Sequence, residues 1–298
     1  MPEYDGVQLA GLVNPGDPVA VLEECYALWA ARYGERSFSA VLSAFDQVRG
    51  VFAGLKPGYH ACDTDYHNFE HTLAVLLASS RLLDGAFEEG AGFEAGMAED
   101  YLIAALCHDT GYIRRVGEEG GTGARFTFNH VERSAHFVRD NAHALGLARP
   151  ERIKRLIWST GLRDEFNEQA WDSKEERLAG AMLASADLIG QMSDRAYLEK
   201  LLFLYYEFRE AGFPGYDTEF DILRKTLGFY DATVARLDGP LGAVRSFARG
   251  HFRSRYGLDR DLYAEAMERQ MEYLKSIIAD DTTNFRKKLK RLDLERAV

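Results

Sequence analysis

The sequence predicts an all-α protein built on one large helical domain. Three observations carry that reading. Apolar residues recur at three-to-four spacing almost without interruption from Pro18 onward. Starts and stops are marked by the expected residues, with Ser, Asn or Pro at helix beginnings and Gly at ends. Only one short run, "RFTF" at 125–128, alternates as a strand would. A length of 298 residues allows a substantial core, and 46% hydrophobic with 28% charged residues is a globular composition.

Residues 1–17 are rich in Gly, Pro and Asp and read as an extended lead-in. The segments "VLEECYALWAARYG" and "FSAVLSAFDQVRGVFAG" are helices that stop at glycine. After the loop "LKPGYHACDTD", a helix begins near His67 and runs through "TLAVLLASSRLL". The next, inside "GFEAGMAEDYLIAALCHDTGY", is apolar nearly all round before Cys107, so it is expected to be central. A glycine-rich loop follows at 111–127. Asn129 with Glu132 has the pattern of a capping box, opening a helix to Gly146. Pro150 opens "PERIKRLIWSTG". Ser173 with Glu176 repeats the capping-box pattern ahead of "LAGAMLASADLIGQM". Three or four helices fill 194–281, so the predicted domain spans 18–281 with a C-terminal helical extension. Residues 282–298 form a basic amphipathic tail, expected as a solvated helix end.

A net charge of −11 argues against a broad footprint on duplex nucleic acid. No apolar run is long enough to span a bilayer, so no membrane partner is expected. The N-terminal stretch has no basic and apolar leader pattern, and Cys25, Cys62 and Cys107 are scattered and odd in number. A cytoplasmic protein is the expectation.

The chemistry concentrates in a few places. His67 and His71 stand four apart in "YHNFEHT", one helical turn, and are expected to share a helix face. His108 and Asp109 end the most apolar helix. Asp187 lies among small and apolar residues in "MLASADLIGQM". A carboxylate there is costly unless it is paired or metal-bound. Two His and two Asp on apolar helices make a mixed nitrogen and oxygen set. That set suits Zn²⁺, Fe or Mn²⁺ with open positions, and it does not suit an all-oxygen Ca²⁺ cage.

The order H…HD…D resembles the HD superfamily of metal-dependent phosphohydrolases. Within it, "YHNFEHT" is similar to the YHNxxH signature of class I cyclic-nucleotide phosphodiesterases. "CHDTG", "FNHVERSA", "IWSTGLRD" and "ASADLIGQMSD" stand in the order of that family's later motifs, over residues 59–211. The resemblance implies an all-α HD/phosphodiesterase-like bundle. It implies one Zn, Mn or Fe ion on His71, His108, Asp109 and Asp187, with Asp109 bridging to a second ion, Mg or Mn. It implies His67 as the general acid and a small phosphate ester, most simply a nucleotide, as substrate. The sequence departs from the family at Tyr112, where the family carries a histidine of the second-metal surroundings, and at Gly161, where it carries an aspartate. His130 and Glu132, with Asn68, are the candidates for that second-metal region. Gln270 and Tyr273 have the spacing of the family's base-binding glutamine and aromatic. Two other readings fit parts of the pattern: an HD-fold di-iron oxygenase, and a metal-stabilised sensor that binds a nucleotide or partner without turnover.

Overall fold

The computed structural model describes residues 6–34, 38–161 and 166–294. The first and last residues of the chain, and the "LRD" of "IWSTGLRD", lie outside them. Among the described residues there are eleven α-helices and no strand; one antiparallel bridge joins Tyr59 to Arg115. In order they are α1 (Pro18–Tyr33), α2 (Ser39–Phe52), α3 (Phe69–Glu88), α4 (Ala95–Cys107), α5 (His130–Asp140), α6 (Pro150–Trp158), α7 (Lys174–Met192), α8 (Tyr197–Ala211), α9 (Glu219–Asp238), α10 (Phe247–Tyr256) and α11 (Leu262–Ala279). The fold is all-α, as its periodicity predicts. No described helix is long and apolar enough to cross a membrane.

Local chemistry sets most boundaries. Asp17 caps α1 by accepting from the amides of Val19 (2.9 Å) and Ala20 (3.3 Å), and Pro18 occupies the first turn. Ser173 accepts from the amide of Glu176 at 3.0 Å, but the Glu176 side chain turns to Arg155, so the capping box is half formed. At α5 it does not form: Asn129 makes no capping bond and Glu132 is exposed. That helix also stops at Asp140, short of Gly146. Asn141 donates its side chain to the Phe137 carbonyl (2.9 Å) and the Tyr59 hydroxyl (2.8 Å), and the chain turns away there. "RFTF" is not a strand; it begins in the 3-10 turn Gly123–Phe126, whose Thr122 cap accepts from the Ala124 amide at 3.1 Å. The basic tail is docked and not a free helix. Glu199 accepts from the backbone amides of Lys290 (3.0 Å) and Arg291 (3.1 Å), and Leu289 and Leu294 are buried.

The core gathers around α3, which packs against α1, α4, α7 and α10. Residues His71 to Ala86 of α3 are buried almost without a break, except Ala74. The α3–α10 crossing is close because Gly85 has no side chain. A Cβ there would lie 1.7 Å from the Phe247 carbonyl oxygen. Beside it sits a buried charge cluster. Asp84 accepts from His251 Nδ1 (2.8 Å), Arg255 Nη2 (2.8 Å) and Arg32 Nε (3.0 Å). Burial opposes its ionisation, but His251 and Arg255 outweigh that and hold its carboxyl well below the usual range. The unfolded carboxyl titrates near ~3.9. The stabilisation is therefore complete above that pH and is lost as acidification approaches the lower folded value. Asp84→Asn is expected to cost about 3 kcal/mol at pH 7, the low end for a broken buried pair because both arginines are partly exposed. It should also flatten the acid limb of stability against pH. Denaturant melts from pH 3 to 7 check both, and an unchanged acid limb would show that Asp84 does not carry it.

Candidate metal centre

Asn68, in extended backbone, caps α3 by accepting from the His71 amide at 3.2 Å. His71 therefore sits in the first turn of α3, while His67 precedes the helix. The two imidazoles do not share a helix face; their rings lie 6.0 Å apart and nearly perpendicular. Asn68 is committed to this cap and to the Asp65 carbonyl, to which it donates at 2.7 Å. His108 follows the last residue of α4, and Asp187 projects from the middle of α7.

These elements bring the donor atoms of His71, His108 and Asp187 within 4.8 Å of one another, and Asp109 lies beside the two histidines. His71 Nε2 lies 3.2 Å from His108 Nε2, 3.2 Å from Asp109 Oδ2 and 3.2 Å from Asp187 Oδ1. His108 Nε2 lies 3.3 Å from Asp109 Oδ2 and 3.7 Å from Asp187 Oδ1. Ligands ~2.0–2.2 Å from one ion, at angles between octahedral and tetrahedral, stand ~2.8–3.6 Å apart. Four of the five separations fall in that range and the fifth, 3.7 Å, is just above it, so His71, His108 and Asp187 stand close enough to hold one ion. Two further observations agree. Asp109 Oδ2 is buried and receives no hydrogen bond. His108 Nδ1 donates to the Ala105 carbonyl at 2.8 Å, which leaves the Nε2 lone pair facing the cluster.

Burial disfavours the charged form of His71, but Asp109 and Asp187 outweigh it and raise its pKa to about 10. His108 is raised in the same way, against burial, by Asp109 and Asp187. Asp109 is held well below the carboxylate range, because His108 and His71 overcome its burial. A cation must therefore displace protons. Zn²⁺ binding at pH 8 is expected to release at least one proton per chain, with affinity rising as pH rises toward 10. Calorimetry in buffers of different ionisation enthalpy measures this, and proton-neutral binding would remove His71 from the ligand set.

The second-metal candidates divide. His130 Nε2 lies 3.8 Å from Asp109 Oδ1, the oxygen turned away from the first cluster, and its Nδ1 donates to the Thr127 carbonyl at 2.8 Å. Burial lowers its pKa, which favours the neutral ring a metal needs. Glu132 is two residues on, toward solvent. Tyr112 stacks on both His67 and His130, at 4.2 and 4.6 Å between ring centres, and those two imidazoles lie 6.1 Å apart, tilted by 31°. Burial, then Asp109 and Glu207, push its pKa well above 10, so it stays a protonated phenol. Gly111 makes room for this arrangement; a Cβ there would lie 2.0 Å from the His130 carbonyl oxygen.

One partner is not visible in the sequence pattern. Glu207 of α8 reaches His67 from 140 residues away. Its Oε2 is 2.6 Å from His67 Nδ1, and its Oε1 accepts from the Tyr66 amide at 2.7 Å. The polar atoms of Gln270 and Tyr273 are spent elsewhere. Gln270 donates to the carbonyls of Asp194 (2.6 Å) and Arg195 (3.0 Å), and Tyr273 donates to the Lys288 carbonyl (2.8 Å). Neither is hydrogen-bonded to the histidine and aspartate cluster.

No curated protein matches the chain. Over residues 117–239, a stretch that carries His130, Asp187 and Glu207 but not His71, His108 or Asp109, the chain is similar to the family described as Npun_R2479-like.

Proposed function

We propose that the protein is a metal-dependent hydrolase of a phosphate ester, with a nucleotide phosphodiester as its substrate class. The observation that carries the reading is the convergence of His71, His108 and Asp187 at ligand spacing, beside a buried Asp109 oxygen without a hydrogen bond. A bound Zn, Mn or Fe ion would supply Lewis-acid polarisation of a phosphoryl oxygen and a water acidic enough to attack at neutral pH. His130 and Asp109 would hold a second ion, Mg or Mn. His67 is assigned as the general acid. Glu207 accepts its Nδ1–H and so turns Nε2 toward Tyr112 and the cluster. As the bond from phosphorus to the leaving oxygen breaks, Nε2–H gives that oxygen its proton, and Glu207 balances the charge on the ring beforehand. Tyr112 stacks on both the His67 and His130 rings and packs them against one face of the site.

The test is metal analysis joined to a turnover screen. The panel holds cyclic nucleotides, linear dinucleotides, nucleoside mono- and triphosphates, and a nitrophenyl phosphodiester. Turnover that stops with chelator and returns with Mn²⁺ is the expected result. A metal-loaded protein that turns over none of the panel overturns the hydrolase reading, and bound iron with oxygen consumption redirects it to an oxygenase.

A further inference from the structure

We propose a second ligand site, separate from the metal centre, that takes a small anion with an apolar or aromatic body. A cleft of about 570 Å³ lies between the N-terminal lead-in, one face of α3 and the docked tail. That volume is in the range of small-molecule pockets. Glu70, Ala74, Leu77 and Arg81 of α3 form a single stripe along it, at spacings of four, three and four. None of the histidines or aspartates of the candidate metal centre lines it.

Its charge is opposite to that of the chain. Five cations line the cleft, Arg81, Arg195, Lys200, Lys290 and Arg291, against two carboxylates, Glu70 and Asp194. The chain as a whole carries −11. Both carboxylates are already engaged by Lys200, at 3.3 and 2.6 Å. Among the described residues, Arg195 and Lys290 are exposed and form no ion pair, and the Arg291 guanidinium meets neutral groups, the Arg195 carbonyl, Gln270 Oε1 and the Tyr273 ring.

Arg81 is the strongest indication. It is 1% exposed, and no carboxylate lies within ion-pair distance among the described residues. Nη1 donates to the Tyr263 hydroxyl at 3.3 Å, while Nε and Nη2 have no hydrogen-bond partner. The ring faces of Phe252 and Tyr263 lie 5.7 and 5.9 Å from the guanidinium carbon. A buried guanidinium with two idle donor groups is an expensive arrangement unless an anion completes it. Its planar fork suits a carboxylate, phosphate or sulfonate. Leu9, Val13, Leu77 and Leu292 supply apolar surface between these cations, so the ligand is an anion attached to something apolar and not a bare inorganic ion.

The experiment titrates the full chain with 8-anilinonaphthalene-1-sulfonate by fluorescence, alongside the uncharged N-phenyl-1-naphthylamine. The sulfonate is expected to bind with about one equivalent per chain and at least tenfold more tightly than the neutral amine. The double variant Arg195→Glu/Lys290→Glu changes exposed side chains and should keep the fold. It is expected to weaken the sulfonate at least tenfold while leaving the amine within twofold. Arg81→Met should do the same if it folds. Equal affinity for the two probes, or a double variant that binds the sulfonate within twofold of the parent, overturns the proposal. Metal content of the variants, read in parallel, should stay unchanged, which separates this site from the metal centre.

Discussion

His67→Ala is expected to keep its metal while hydrolysis of a substrate with a poor leaving group slows by ~10²–10⁴-fold, the usual range for losing a general acid. The geometry motivates the split. His67 lies outside α3 and is held through Nδ1 by Glu207, whereas His71 stands within 3.2 Å of three other ligand atoms. A nitrophenyl phosphodiester leaves as a stabilised anion and needs little protonation, so its rate should fall far less. Glu207→Gln should follow the same pattern at smaller amplitude, because an amide can still meet Nδ1 but cannot balance a charged ring. Steady-state rates on the two substrate types, with metal analysis of each variant, decide the matter. Loss of metal from His67→Ala to the extent seen for His71→Ala would make His67 a ligand and end the proton-donor assignment.

Asp187→Ala is expected to have the largest effect on the metal itself. Asp187 Oδ1 lies 3.2 Å from the His71 Nε2 and 3.7 Å from the His108 Nε2 and stands on α7, so its removal opens one whole side of the cluster. Affinity should fall by more than the ~10–100-fold typical of altering a residue behind a ligand. Each tenfold loss removes ~1.4 kcal/mol of metal-linked stability at fixed free metal. Thermal melts with and without chelator read this directly. The parent should drop in Tm when chelated, and the variant should start low and respond little. The same chelator shift in both proteins would remove Asp187 from the set.

The histidine and aspartate cluster was legible because its members are out of character with their surroundings. His108, Asp109 and Asp187 are polar residues in or directly after helices whose other faces are apolar, and such residues need a reason to be there. His67 was legible as a residue but not as a position. The four-residue spacing reads as one helix face, whereas the Asn68 cap places the helix start between the two histidines. Glu207 was not legible at all. It sits in "LYYEFREA", where a glutamate among aromatics is ordinary amphipathic helix, and its partner is fixed only by how α8 packs. The helix pattern was readable where side-chain caps act locally, as at Asp17. It misled at α5, where Asn141 finds a tertiary partner in Tyr59 and ends the helix six residues early relative to Gly146.

That Glu207 holds His67 from α8 has a consequence for how the protein can change. The proton-donor candidate and the candidate metal ligands rest on separate supports: His71, His108 and Asp187 on or beside α3, α4 and α7, and His67 on a loop latched to α8. A small shift of α8 can move the imidazole relative to the histidine and aspartate cluster while that cluster stays in place. Substitutions on the buried face of α8, such as at Leu201 or Leu202, therefore give drift or directed selection a way to retune leaving-group preference without first surviving the loss of the metal.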